Sequence, residues 1–203
     1  MDLYVIHLEE RPERFEQIKK NYLEYHIIPI HAIRHEIGRI GCFLSHQKCI
    51  RLAKEANMKY ICVLEDDCVP IGTASHLLDI KDFLENNDWN LFIGGGTGVW
   101  DDHVIRKIRY NKYDLFEITK VKTTHMICYH ESVYDFFLSI DPYEVDIPID
   151  KIWHNHFRAI IPVPFIATQS NGYSDIEKKE VFVDDKIKIC NRYITKFCNL
   201  KFT

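Results

Sequence analysis

Three consecutive acids, Glu65, Asp66 and Asp67, follow directly on the apolar run Tyr60–Leu64. Like charges about 4 Å apart repel by roughly 4 kcal/mol at an effective dielectric near 20. A folded chain accommodates such a cluster by solvation, by proton sharing or with a cation. The preceding run has the length and composition of a buried parallel strand, and open α/β sheets place their ligands at the carboxyl ends of such strands. On an extended chain Glu65 and Asp67 share one side and Asp66 takes the other. Two carboxylates on one side suit an octahedral Mg²⁺ or Mn²⁺ shared with phosphate oxygens. A solvated acidic turn is the competing reading of this segment.

Other motifs exclude more than they assign. Gly94–Gly98 (GGGTG) lacks the Gly-Lys-Ser/Thr ending of a P-loop and the spacing of a dinucleotide fingerprint. A glycine-rich floor under a ligand, with Gly95 and Gly96 as acceptor contacts, and a plain turn both stay open. His31 and His35 are four apart, but Ala32 stands where a zincin needs glutamate. Ser45 and His46 are adjacent on a helical segment and point about 100° apart, so they cannot form a nucleophile–base pair with each other.

The elements that position these groups alternate. Strands are expected at Leu3–Leu8, Ile27–Ile30, Tyr60 into the acids, Asn90–Ile93 and Thr124–Tyr129. Helices are expected from Pro12 to about Glu24, from Ile40 to about Asn57, after Ser75, over Glu131–Ser139 and over Asp150–Phe157. Pro162 and Pro164 bracket an edge segment, and loops are expected around Gly94–Asp102 and Lys107–Asp114. The tail from Asp184 places Ile187, Cys190, Ile194 and Phe197 on one helical face. The expectation is a single α/β domain over 1–180, with a mainly parallel, Rossmann-like sheet and helices on both faces, and a helical tail, 181–203, packed on it.

With 203 residues, 46% hydrophobic and 28% charged, the chain has a globular profile, and its net charge of −4 argues against a nucleic-acid partner. Its seven cysteines are an odd number without a zinc-knuckle spacing, and Cys42, Cys62 and Cys128 lie in apolar runs as reduced thiols would. A reducing, cytoplasmic setting is the expectation. The first residues read as neither signal peptide nor membrane span.

Four segments, in order, resemble glycosyltransferase family 25. They are Arg11-Pro12-Glu13-Arg14 after a short strand, Ile40-Gly41-Cys42-Phe43-Leu44-Ser45-His46, Val63-Leu64-Glu65-Asp66-Asp67, and Gln169 followed by Ser174-Asp175-Ile176. One position departs: the family usually has glutamate before Ile-Gly-Cys, and this chain has Arg39 there, with Glu36 three residues earlier. The resemblance implies a GT-A-like fold, a UDP-sugar donor (UDP-galactose in the best-known members), a glycan or glycoprotein acceptor, Mn²⁺ or Mg²⁺, and inversion at the anomeric carbon.

On that resemblance, Asp67 and Glu65 are the expected metal ligands, with Gln169 as a third metal-side contact. Leu8, Arg11, Arg14, Ser45, His46, Asp66 and Ser174 are expected at the donor. Asp150 is the expected catalytic base, with Asp146 and Asp175 as substitutes, and Trp153 is expected to stack on an acceptor sugar. Each has a plainer reading: a solvated face for Arg11, a buried histidine for His46, a turn amide for Gln169, a helix cap for Asp150 and core packing for Trp153. A metal-dependent nucleotidyltransferase and a non-catalytic glycan-binding domain are the rival functions.

Overall fold

The computed structural model describes residues 1–174 and 178–201. Its elements in chain order are β1 (Asp2–His7), α1 (Pro12–Asn21), β2 (His26–His31), α2 (Gly38–Glu55), β3 (Tyr60–Glu65), β4 (Cys68–Pro70), α3 (His76–Asn86) and β5 (Leu91–Ile93). There follow β6 (Val104–Tyr110), β7 (Tyr113–Ile118), β8 (Met126–His130), α4 (Tyr134–Ser139), α5 (Ile149–Ile152) and β9 (Ala159–Val163). The last are β10 (Ala167–Gln169), β11 (Gly172–Ser174), β12 (Lys179–Val181) and α6 (Val183–Lys201).

Eight strands make one sheet in the order β2-β1-β3-β8-β5-β9-β7-β6. All run the same way except β7 and β8, which are antiparallel to their neighbours. Alternation along the strands splits the apolar residues between two cores. Tyr4, Ile6, Ile61 and Val63 face one core with Phe43, Ile50 and Trp153. Leu3, Val5, Cys62 and Leu64 face the other with Ile18, Leu77 and Phe83. Helices thus cover both faces, as the sequence pattern predicts. The face of α6 carrying Ile187, Ile194 and Cys198 is buried, and the helix lies against β9 and β10.

Three expectations are corrected. The Pro162–Pro164 segment is not an edge: β9 is buried throughout and lies between β5 and β7. Its pairing with β5 covers only Ala159 and Ile160, so by Pro162 one side of the strand has no ladder for a proline to break. Residues 107–114, expected as a loop, are the β6–β7 hairpin, turning through Asn111 at φ 52°. Asn111-Lys112 between alternating runs was the available signal.

The third concerns cysteine. Cys62 and Cys128, expected as free thiols, are bonded to each other. They are directly opposed in the β3–β8 ladder and so lie on the same side of the sheet. Pairing across two strands 66 residues apart is invisible until those strands are in register. Cysteine usage therefore gives no ground for a reducing compartment. No helix among the described residues is long and apolar enough to cross a membrane.

Candidate active site

A cavity of about 350 Å³ opens where β1 and β3 end, walled by the loop after β1, the start of α2, the acids and the β11–β12 hairpin. Glu65, Asp66 and Asp67 all line it. The three acids are held differently, and the differences define what the site can bind.

Asp66 turns toward α1, where Arg14 Nη1 lies 3.4 Å from its Oδ1 and the Leu8 backbone N–H also donates to it. Burial raises the Asp66 carboxyl above its ordinary value, and Arg14 opposes that shift. Arg14 also donates to the Tyr173 carbonyl (3.3 Å), and the Arg11 guanidinium lies over the Tyr173 ring (5.9 Å). Both arginines line the cavity, as do Leu8 and Ser174. Arg34 and Lys178 add cationic wall that the sequence reading missed, because nothing local connects them to the acids.

Glu65 is fixed from two sides through one oxygen. Oε1 accepts from Thr124 Oγ1 and from His46 Nε2 (3.4 Å), while His46 Nδ1 accepts from the Tyr129 hydroxyl (3.0 Å). Burial alone would raise the Glu65 carboxyl, but these hydrogen bonds outweigh it and hold the group below its usual range. His46 itself is fully buried. It serves as the brace that sets Glu65 and also lines the cavity. His46→Ala is expected to lower the unfolding free energy by about 3 kcal/mol, because Glu65 and Tyr129 lose a buried partner. Urea unfolding measures this; a mere donor contact would leave the stability unchanged.

Asp67 has the least protein support. Its Oδ2 accepts from Gln169 Nε2 (2.7 Å), and its Oδ1 is buried with no hydrogen-bond partner. Burial, with the Glu65 charge added, pushes its carboxyl up to about 7. Gln169 reaches it because β10 pairs antiparallel with β4, setting Gln169 opposite Cys68, and because Ser170 N donates to the Asp67 carbonyl (2.8 Å). The plainer reading of Gln169, an exposed turn amide, does not hold. An orphaned buried carboxylate oxygen whose neighbour Glu65 adds a second carboxylate is a donor pair suited to a hard divalent cation. Cys42, His46 and Glu65 also offer donors within 4.8 Å of one another. In that trio His46 already serves Glu65 and Tyr129, and burial raises the Cys42 thiol well above its ordinary value.

Ser45 lines the cavity, but its hydroxyl accepts from Ile33 N (2.8 Å) and donates to the Gly41 carbonyl (2.7 Å), tying the loop before α2 to the helix. Gly41 permits that approach: a Cβ there would lie 2.6 Å from the Ile33 carbonyl oxygen.

Asp150 does not cap its own helix. The cap position of α5 is Pro148, and Asp150 Oδ2 instead accepts from Thr123 N (2.9 Å), holding Thr123 at φ 93°. Its Oδ1 is buried without a partner, and burial raises its carboxyl. It stands outside the cavity wall, yet its charge acts on both Glu65 and Cys42. The segment leading to it is anchored by Arg39, which donates to the Val145 carbonyl (2.5 Å) and pairs with Asp146 (3.1 Å). Arg39 thus fastens the 141–148 loop to α2. Asp146 is fully exposed in that pair, and Asp175 lies outside the described residues.

Two acceptor assignments are corrected. Trp153 is 1% exposed, packed in the core against Phe43 and its neighbours, with no ring face open to a sugar. Gly95 and Gly96 are buried too. A Cβ at Gly95 would sit 2.3 Å from the Ala167 carbonyl oxygen, and one at Gly96 2.4 Å from Val121 Cγ2. Those glycines let the chain leaving β5 press on β10 and on residues 121–122, and they form no ligand floor.

The profile of glycosyltransferase family 25 (LPS biosynthesis protein) matches residues 35–141, more than half of the chain, taking in α2, the acids and β8. No curated protein matches. Among solved structures, A197 from STIV is 14% identical with a TM-score of 0.48, covering 92% of this chain and 95% of that one. A glycosyltransferase involved in glycosylation of the major capsid of PBCV-1 is 10% identical with a TM-score of 0.48, covering 79% and 80%. The inositol-1-phosphate CTP transferase from T. maritima is 11% identical with a TM-score of 0.45, covering 96% and 77%. At those scores none of the three carries an argument about chemistry. The sequence match spans the acid cluster and the helix that braces it, and on that match the chain belongs to glycosyltransferase family 25 and is a glycosyltransferase.

Proposed function

We propose that this protein moves a hexose, galactose first among the candidates, from a UDP-sugar to a hydroxyl of a glycan or glycoprotein, with inversion and with Mn²⁺ or Mg²⁺. The observation that carries this reading is the orphaned Asp67 Oδ1 beside Glu65 at the floor of a cavity walled by Arg11, Arg14 and Lys178. Such a floor and wall complement the cation and the diphosphate of a nucleotide sugar.

Asp67 and Glu65, with the Gln169 amide alongside, would hold the divalent ion, whose chemistry is Lewis-acid stabilisation of the departing diphosphate. Arg11 and Arg14 offer forked donors to the same anion. Asp66, engaged by Arg14, orients that arginine. Asp150 is the proposed base: it takes the acceptor hydroxyl proton as that oxygen bonds to the anomeric carbon and the bond to the diphosphate breaks, releasing UDP.

Thermal unfolding with Mn²⁺ and a panel of nucleotides tests the donor assignment. UDP is expected to raise the melting temperature more than ATP or CTP, and EDTA to remove the gain. Preference for CTP or ATP would reverse the assignment in favour of nucleotidyl transfer.

A further inference from the structure

The outward face of α6 belongs to neither core nor to the cavity, and it is unusual in composition. Ile189 and Leu200 are 60% and 76% exposed, Tyr193 is 40% exposed, and Phe182, immediately before the helix, is 66% exposed. At 100° per residue Ile189, Tyr193 and Leu200 fall within about 40° of one line along the helix. Ile187, Ile194 and Cys198, which are buried, lie on the opposite side. Trp100, 54% exposed, extends the stripe sideways, its ring edge-to-face with Tyr193 at 5.5 Å.

Cations frame these apolar side chains. Lys196 lies on the stripe, and Lys186 and Arg192 flank Ile189 about 60° to either side. From Lys186 to Lys201 the helix carries five basic residues and no acid, in a chain whose net charge is −4. Asp184 and Asp185 occupy only the first turn, and Asp184 is engaged by Lys188 and by Thr168 (2.8 Å). Asp101 and Asp102 sit near Tyr193 at the Trp100 end.

We infer that this face docks on an anionic phospholipid surface. Asp185 shares the stripe at its first turn, but Lys186, Arg192 and Lys196 outnumber it along the helix. Charge complementarity favours that occupant over a second copy of an acidic chain, since stacking two such faces would oppose six cations. An amphipathic helix with aliphatic and aromatic side chains on one stripe and Lys/Arg beside it lies in the headgroup plane. Trp and Tyr favour that level. The helix carries too many charges to span. Its first turn continues directly from β12, whose Val181 lines the cavity.

The test is vesicle co-sedimentation of the full chain with phosphatidylcholine alone and with phosphatidylcholine containing phosphatidylglycerol. Tryptophan emission is followed in parallel; Trp89 and Trp153 are buried, so a blue shift reports on Trp100. Binding to the anionic vesicles with a blue shift, weakened by salt, is expected. Each removed cation should weaken binding about fivefold, so Lys186→Ala, Arg192→Ala and Lys196→Ala together should cost about a hundredfold with the melting temperature unchanged. Absence of binding, or equal binding to both vesicles unaffected by the triple variant, overturns the inference. So does a dimer in sedimentation velocity that Ile189→Ser and Leu200→Ser dissolve, which would give the face to a second copy.

Discussion

Replacing Asp67 with asparagine is expected to lower sugar transfer by at least about 10³-fold and, in metal-free protein, to raise stability above neutral pH. The two effects have one cause. Asparagine keeps the shape and can still accept from Gln169, but it removes the charge that a divalent ion would neutralise, a contribution of several kcal/mol in the transition state. In the metal-free fold that charge is a cost. The Asp67 carboxyl stands at about 7 in the folded protein against an ordinary value of 3.8. Folding therefore disfavours the ionised form. The penalty is absent below pH 4, grows between pH 4 and pH 7, and is complete above that. Urea unfolding in EDTA should show wild type and Asp67→Asn alike at low pH, with the variant ahead by on the order of 3 kcal/mol at pH 8. Added Mn²⁺ should stabilise wild type more than the variant. A wild-type transfer rate, or a variant weaker at pH 8, would reject the role of Asp67.

Asp150→Asn separates chemistry from binding. The amide oxygen of asparagine can still accept from Thr123 N, so the local backbone should persist. Loss of the base should reduce turnover about 10²–10⁴-fold while leaving UDP affinity within error of wild type. Because burial raises the Asp150 carboxyl, the wild-type rate should climb with pH through a range above that of an ordinary aspartate. Isothermal titration with UDP and steady-state turnover across pH check both statements. Retained turnover would place the base elsewhere. Asp146 is a poor substitute, since it is fully exposed and paired with Arg39.

Features written in consecutive residues were legible in the sequence. The apolar run into three acids, the helix carrying Cys42 to His46, and the alternation of strands and helices needed only local pattern, and each is found close to where the pattern puts it, except that the helix expected over Asp150–Phe157 is only Ile149–Ile152. What failed depended on partners distant in sequence. Trp153 and His154 are neighbours in sequence, but only the packed core shows that the indole is sealed in. Gly95 and Gly96 read as a ligand floor until Ala167 and Val121 are seen against them. The role of His46 depends on Tyr129, 83 residues away, and on Glu65. Arg39, a departure from the family pattern, acquires a purpose only once the carbonyls of the 141–148 loop are in place. In each case the residue type permitted two uses, and the three-dimensional neighbour chose between them.

The short β4–β10 ladder has a consequence for how the molecule is made. It joins Asp67 to Gln169 across 102 residues, the latest contact in the candidate metal site. A ribosome that has released the chain only through α4 has delivered all three acids and the histidine brace, but neither that amide nor Asp150. Synthesis from the amino end thus leaves the acids without their final partners until the last third emerges. Nascent chains arrested ahead of residue 167 should consequently be inert toward the donor even where their amino-terminal sheet has already formed.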